Sequence, residues 1–160
     1  MDNASQNNDD VQITYGSIRQ LTTEECDQPM CFENGYCYVV IDPYVYKSGN
    51  RTITVPVGFL TDGASGPGPD IGNSWLFHDW LYSKHCFDDG TACTRNDADS
   101  IMSQLLQKEN LYRYKWVFDR ISHYNFFYSF SSAWNTSGTR GPQMLNIAKS
   151  AAIIFGENDV

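Results

Sequence analysis

The feature that most limits what this chain can become is Thr61–Pro69 (TDGASGPGP), where three glycines and two prolines in nine residues rule out a regular element. The segment must be a shaped loop, and it divides two kinds of sequence. Before it, Tyr36–Lys47 and Arg51–Phe59 are rich in Val, Ile, Tyr and Thr. Ser48-Gly49-Asn50 between them supplies turn chemistry, so this stretch predicts an antiparallel hairpin. Val11–Tyr15 predicts a further strand. After the loop, helical patterning covers Asn73–Cys86, Thr94–Asn110, Tyr112–Trp134 (one long helix or two broken ones) and Pro142–Phe155. Asn73 or Ser74 is the expected cap of the first helix. Thr94 caps the second, with Asp97 and Asp99 in opening turns that favour anions. Pro142 suits the first turn of the last helix and Gly156 its exit. Strands followed by helices predict an α+β fold, with a small N-terminal antiparallel hairpin or sheet and a four-helix C-terminal part.

The 160 residues fit one domain, and a hydrophobic share of 41% with 14% aromatics suffices for its core. We expect residues 1–10 to be a disordered tail, being polar and acidic, and 11–160 to be a single globular domain. The charge balance is 11 basic against 19 acidic residues, net −8, with no Lys/Arg block to reverse it. Such a surface repels phosphate backbones, so nucleic acid is not an expected partner. No run is long and apolar enough to span a bilayer, and the opening residues lack a signal peptide's design. These readings place the chain in a cytoplasmic setting. The N-x-S/T sequons at Asn3, Asn50 and Asn135 then carry little weight.

Five cysteines, Cys26, Cys31, Cys37, Cys86 and Cys93, leave at least one thiol free in a monomer. Cys86 and Cys93 flank a short loop that a bridge would close, as do Cys26 and Cys31. The plainer expectation is reduced, buried thiols. Zinc is not expected, because no paired C-x-x-C spacing occurs. The aromatic stripe Val117, Ile121, Tyr124, Tyr128 has helical spacing, and core packing is its default reading over a lipid-binding face.

Chemistry concentrates on the first two helices. At 100° per residue, Trp75, His78, Asp79 and Tyr82 fall within about 100° of one another. Leu76, Phe77, Trp80 and Leu81 cover the other directions, so His78 and Asp79 sit in poorly solvated ground and need partners. On the second helix, Ala98, Ile101, Met102, Leu105 and Leu106 form the apolar face. Asp99 lies about 20° from Leu106, towards the core edge, whereas Asp97 lies on the other flank. A carboxylate at 99 beside the imidazole at 78 would fix the ring's tautomer and orient it to take a proton from water or a hydroxyl. Arg95, one turn earlier, would serve equally well as the partner of Asp99. Against this stands a plain structural hydrogen bond between packed helices. The preceding loop brings Thr61, Asp62, Gly63 and Ser65 beside that helix, as functional sites tend to do. A hard cation such as calcium is the other possibility, with Asp79, Asp62 or Asp70 and carbonyls of Gly63, Gly66 or Gly68 as ligands.

These residues resemble two families. VPVGFLTDGASGP (Val55–Pro67), HDWLY (His78–Tyr82) and RNDAD (Arg95–Asp99) follow, in order, the VP-x-GF-x-TDGAS-x-P, HD-x-LY and R-x-x-AD motifs of an uncharacterised domain-of-unknown-function family encoded largely by bacteriophages and prophages. The resemblance fades outside Val55–Asn110 and covers neither the cysteines at 86 and 93 nor the aromatic C-terminal half. It implies viral origin and a hydrolase-like or particle-associated role, in the host cytoplasm or the virion, with other particle proteins as partners. The arrangement is also similar to that of secretory calcium-dependent phospholipases. That likeness implies that His78 activates water, Asp79 ligates calcium, Asp97 or Asp99 orients His78, Tyr82 braces that aspartate, and a lipid is the substrate. The paired cysteines and loop pattern of those enzymes are missing. The leading expectation is a small hydrolase-like domain with a His78–Asp99 dyad completed by Asp62 and Asp79. The alternative is a non-catalytic virion or assembly component, its polar cluster structural and its Tyr112–Trp134 aromatics an interface.

Overall fold

A computed structural model describes residues 10–63, 73–109, 111 and 128–147. The fold is mixed α+β and holds two small antiparallel sheets of three strands. Strands β1 (Gln12–Thr14), β4 (Tyr44–Ser48) and β5 (Arg51–Val55) form one sheet in the order β1-β4-β5. Strands β2 (Ser17–Gln20), β3 (Tyr38–Asp42) and β6 (Leu60–Thr61) form the other in the order β2-β3-β6. The expected hairpin is present as β4–β5, with Ser48 opposite Arg51 and Gly49 at φ 54° in the two-residue turn. A left-handed residue there matches the twist of the strands it joins.

The expected single strand over Tyr36–Lys47 is two strands. Its pairing with the N-terminal chain holds one register from Gln12↔Lys47 to Ser17↔Asp42, a long ribbon that bends from one sheet into the other at Gly16 and Pro43. Proline has no N–H for a ladder. A Cβ on Gly16 would stand 2.0 Å from the Asp42 carbonyl oxygen, so the corner closes only on glycine. Two short helices unforeseen in the sequence, α1 (Thr23–Cys26) and α2 (Pro29–Asn34), fill the β2–β3 connection. Thr22 and Glu25 form a capping box, and buried Glu25 also accepts two hydrogen bonds from Arg19 at 2.7 and 2.8 Å.

Helices α3 (Ser74–Lys84) and α4 (Arg95–Lys108) stand where the pattern places them. Thr94 caps α4 through a capping box with Asp97. Asn73 precedes α3 without a side-chain cap bond; its N–H instead donates to both oxygens of Glu109 at 3.3 Å. Helix α5 (Tyr128–Arg140) runs six residues beyond the expected Trp134 end, and Gly141 terminates it at φ 69°. Pro142 does not open a helix. The chain after it lies against the second sheet: Leu60 N–H donates to Gln143 O at 3.1 Å and Leu145 N–H to Gly58 O at 2.7 Å. Proline's fixed φ suits an extended segment as well as a first helical turn, and here the sheet edge decides. Residues 1–9, 112–127 (with the stripe through Val117, Ile121 and Tyr124) and 148–160 lie outside the described residues.

The larger core joins Tyr44, Tyr46, Ile53 and Val55 of the first sheet to Leu76, Phe77 and Leu81 of α3 and to Ala98, Ile101, Leu105 and Leu106 of α4. Tyr44 meets Phe77 edge-on at 6.3 Å, and Phe59 meets Trp80 likewise at 5.1 Å. A smaller core of Leu21, Cys31, Val39, Leu60 and Leu145 lies under the second sheet. All five thiols are free. Cys86 pairs across with Ala92 and His85 with Cys93, so the side chains of Cys86 and Cys93 leave opposite faces of their small ribbon and no bridge joins them. Among the described residues no helix is long and apolar enough to cross a membrane.

Candidate functional site

Helix α3 reads SWLFHDWLYSK and is buried on nearly all sides, with Leu76, Phe77 and Leu81 at 1% exposure or less. Polar groups in such a helix must be bonded within the protein. The helix satisfies them in two directions, one facing α4 and the other facing the end of β6.

Towards α4, His78 Nε2 and Asp99 Oδ1 lie 2.8 Å apart, and the Tyr82 hydroxyl donates to the same oxygen at 2.7 Å. His78 is 7% exposed and Asp99 5%. Residues 78 and 82 are one turn apart, so both reach a single carboxylate presented from the core edge of α4, where the helical wheel puts it. The carboxylate holds the proton of the imidazole on Nε2. Burial, followed by the hydrogen bond to Asp99 and that carboxylate's charge, pushes the Tyr82 phenol far above its ordinary range, and Arg95 opposes the shift. Asp99 Oδ2 is buried and has no hydrogen-bond partner among the described residues.

Towards β6, the Thr61 hydroxyl donates to Asp79 Oδ2 at 3.0 Å and accepts from Gly63 N–H at 3.1 Å. Gly63 has φ 91°, and a Cβ there would press on the Tyr38 ring at 3.0 Å. The loop therefore leaves the sheet through a conformation and a space that favour glycine. Burial, then the charge of Asp62, pushes the Asp79 carboxyl up to about 8; the Thr61 hydrogen bond opposes this. Tyr36 stands near the same acids. Burial and then the Asp62 charge raise its phenol, and Arg140 at the end of α5 lowers it.

The structure thus brings together Thr61, Asp62, Gly63, His78, Asp79, Tyr82, Arg95 and Asp99. Ser65, Gly66, Gly68 and Asp70 lie outside the described residues. Asp97 is not the carboxylate that orients His78; it accepts from Thr94 and from Arg51 at the start of α4. Among the described residues, no three His, Cys, Asp or Glu side chains are grouped to hold a metal ion. Asp79 and Asp62 are the acids present that would meet a hard cation, with Gly63 supplying a carbonyl.

Sequence reasoning missed Trp134 and His85. His85 ends α3 in the left-handed region at φ 58°, the one non-glycine residue there among those described. Its ring stacks on Trp134 at 3.7 Å with 9° between planes, and its Nε2 lies 3.0 Å from the Trp134 carbonyl oxygen. Trp134 then meets Tyr82 edge-on at 5.0 Å. It packs on α3, so it is not the exposed interface aromatic that one reading of Tyr112–Trp134 expects. The only sequence signal was Gly138, one turn after Trp134, where a Cβ would stand 2.1 Å from the His85 ring.

A family model described as "Protein of unknown function (DUF1353)" matches residues 38–118. The match runs from β3 through α4, taking in Thr61–Gly63, His78, Asp79, Tyr82, Arg95 and Asp99 and leaving Trp134 outside. No curated protein and no solved structure matches the chain.

Proposed function

The chain belongs to this DUF1353 family of unknown function, and since membership brings no activity with it, we propose from the geometry a hydrolase in which His78 is the general base and Asp99 its orienting carboxylate. The supporting observation is the state of Asp99. A buried carboxylate gives one oxygen to both His78 and Tyr82 while its other oxygen has no hydrogen-bond partner among the described residues. Apolar residues of similar volume would pack two helices at lower cost, and such arrangements concentrate at functional sites. Held by Asp99, the His78 imidazole takes a proton from water or a hydroxyl nucleophile. Asp79, protonated at neutral pH by its raised pKa, returns a proton to the leaving group. Asp62 and the Thr61–Gly63 turn shape the approach, and Arg95 balances the charge beside Tyr82. The virus- or phage-associated setting implied by the motif resemblance belongs to the same proposal.

A second reading has its own support. His78 at 7% exposure and Asp99 at 5% suit a sealed structural cluster in a virion or assembly component. The two part company in one assay. The purified chain and His78→Ala are screened against chromogenic esters, amides, phosphodiesters and glycosides, with far-UV circular dichroism as the folding control. Turnover by the parent, reduced roughly 10²- to 10⁴-fold in a folded His78→Ala, is expected. No turnover anywhere, or turnover indifferent to the substitution, leaves the structural reading standing. Calcium and phospholipid vesicles form a further arm: a calcium-dependent rise in Tm together with lipid hydrolysis would make Asp79 a ligand and the substrate a lipid.

A further inference from the structure

Tyr82 touches both Asp99 and, through Trp134, helix α5, and Trp134 lies outside the matched family region. The Tyr82 hydroxyl donates to Asp99 Oδ1 at 2.7 Å, while its ring receives Trp134 edge-on at 5.0 Å and leans on the His78 ring at 4.1 Å between centroids. Trp134 is itself fixed by a second contact. His85 stacks flat on it and reaches its backbone oxygen, and the absence of a side chain at Gly138 lets α5 approach that ring. A phenol ring packed against two other rings has little freedom in the angle at which its hydroxyl meets the carboxylate, and this oxygen is the one that also meets His78 Nε2.

We propose that Trp134 is a positioning residue for the His78–Asp99 pair. It acts through Tyr82 and is clamped by His85, so that docking of α5 sets the imidazole's orientation. The inference rests on the catalytic reading for its consequence in rate, but not for its geometry. His85 adopts a left-handed backbone that a non-glycine residue rarely takes, and its ring and Nε2 are both spent on Trp134. Left-handed geometry in a non-glycine residue persists where the surroundings over-determine it.

The test uses the full chain and the imidazole signals of its three histidines in ¹⁵N–¹H spectra. The proton on His78 Nε2 reports its bond to Asp99 directly. Trp134→Leu should move that resonance, Trp134→Phe should restore most of it, and Tyr82→Phe should move it alone. In the Tyr82→Phe background, Trp134→Leu should add nothing, because the path is already cut. Where a hydrolytic rate is measurable, Trp134→Leu should lower kcat on the order of tenfold with KM little changed. A His78 signal unmoved by Trp134→Leu, or effects of the two substitutions that simply add, would overturn the proposal. Should Trp134→Leu fail to fold, His85→Ala loosens the clamp instead, with the same shift expected and its absence equally damaging. A coupled His78 signal in a chain that hydrolyses nothing would uphold the positioning and sink only the catalytic reading.

Discussion

Two aspartates, two residues apart on α4, occupy opposite situations. Asp97 lies at the helix start and accepts from Thr94 N–H at 3.0 Å, Thr94 Oγ1 at 2.8 Å and Arg51 at 3.1 Å. Partial burial pushes its pKa up, but the bonds from Thr94 and Arg51 outweigh this and bring it below the ordinary carboxylate value. Asp99 is buried, shares one oxygen between His78 and Tyr82, and keeps the other out of any hydrogen bond among the described residues. The first is a carboxylate placed to stabilise a helix end. The second is kept where stability alone would not put it, and that contrast supports a functional reading of α3 and α4.

Removing Asp99 tests the contrast most severely. Asp99→Ala strips His78 Nε2 and the Tyr82 hydroxyl of their acceptor inside an apolar helix pair, and should cost about 3 kcal/mol or more in urea unfolding. Asp99→Asn keeps the volume and should recover much of that stability without restoring activity, since an amide can present its N–H₂ to the ring and does not stabilise an imidazolium. Full activity in Asp99→Asn would reduce Asp99 to the status of Asp97.

Asp79 sharpens the comparison from the facing helix through pH. Unfolded, its carboxyl ionises near 3.8; folded, near 8, through burial and the Asp62 charge. Between those values the folded state holds a proton that the unfolded state has lost. This contribution to stability is full below about pH 4, falls as pH rises and levels off above about 8. Asp79→Asn removes the dependence. The variant's unfolding free energy should therefore gain on the parent's from pH 5 to pH 8, by at most about 1.4 kcal/mol per pH unit. A constant difference across that range would show that Asp79 ionises like an ordinary surface acid.

How much of this was legible in the chain depended on whether local or distant contacts decided each element. Thr94 with Asp97, Ser48-Gly49-Asn50 and the apolar stripe of α4 are local signals, and the structure bears out the cap, the turn and the helix. The pairing of position 78 with 99 rather than 97 was also within reach, because a helical wheel separates the two aspartates by 200°. The corner at Gly16 and Pro43 was not: it depends on a backbone approach between segments 27 residues apart, and neither residue announces it. The helices α1 and α2 are too short to show a period. His85 hid because the left-handed position that ends a helix usually goes to glycine, and its partner Trp134 is 49 residues away in the chain. Pro142 misled because the same φ serves a helix start and an extended strand.

The smallest effect comes from the partly buried aspartate at the helix start, and it is the control that gives the others meaning. Asp97→Ala deletes the capping-box acceptor for Thr94 and the ion pair with Arg51, whose guanidinium is half exposed. A lost cap acceptor and an exposed ion pair together should cost ~1 kcal/mol, or about 3 °C in Tm for a chain of this length. Because the loss is confined to the first turn of α4, the His78 ring resonances and any hydrolytic rate should stay at parental values. The ion-pair part should fade with added salt while the cap part remains. If Asp97→Ala instead moves the His78 signals as far as Asp99→Ala does, the two carboxylates act through one shared displacement of α4, and the division between a structural and a functional aspartate collapses.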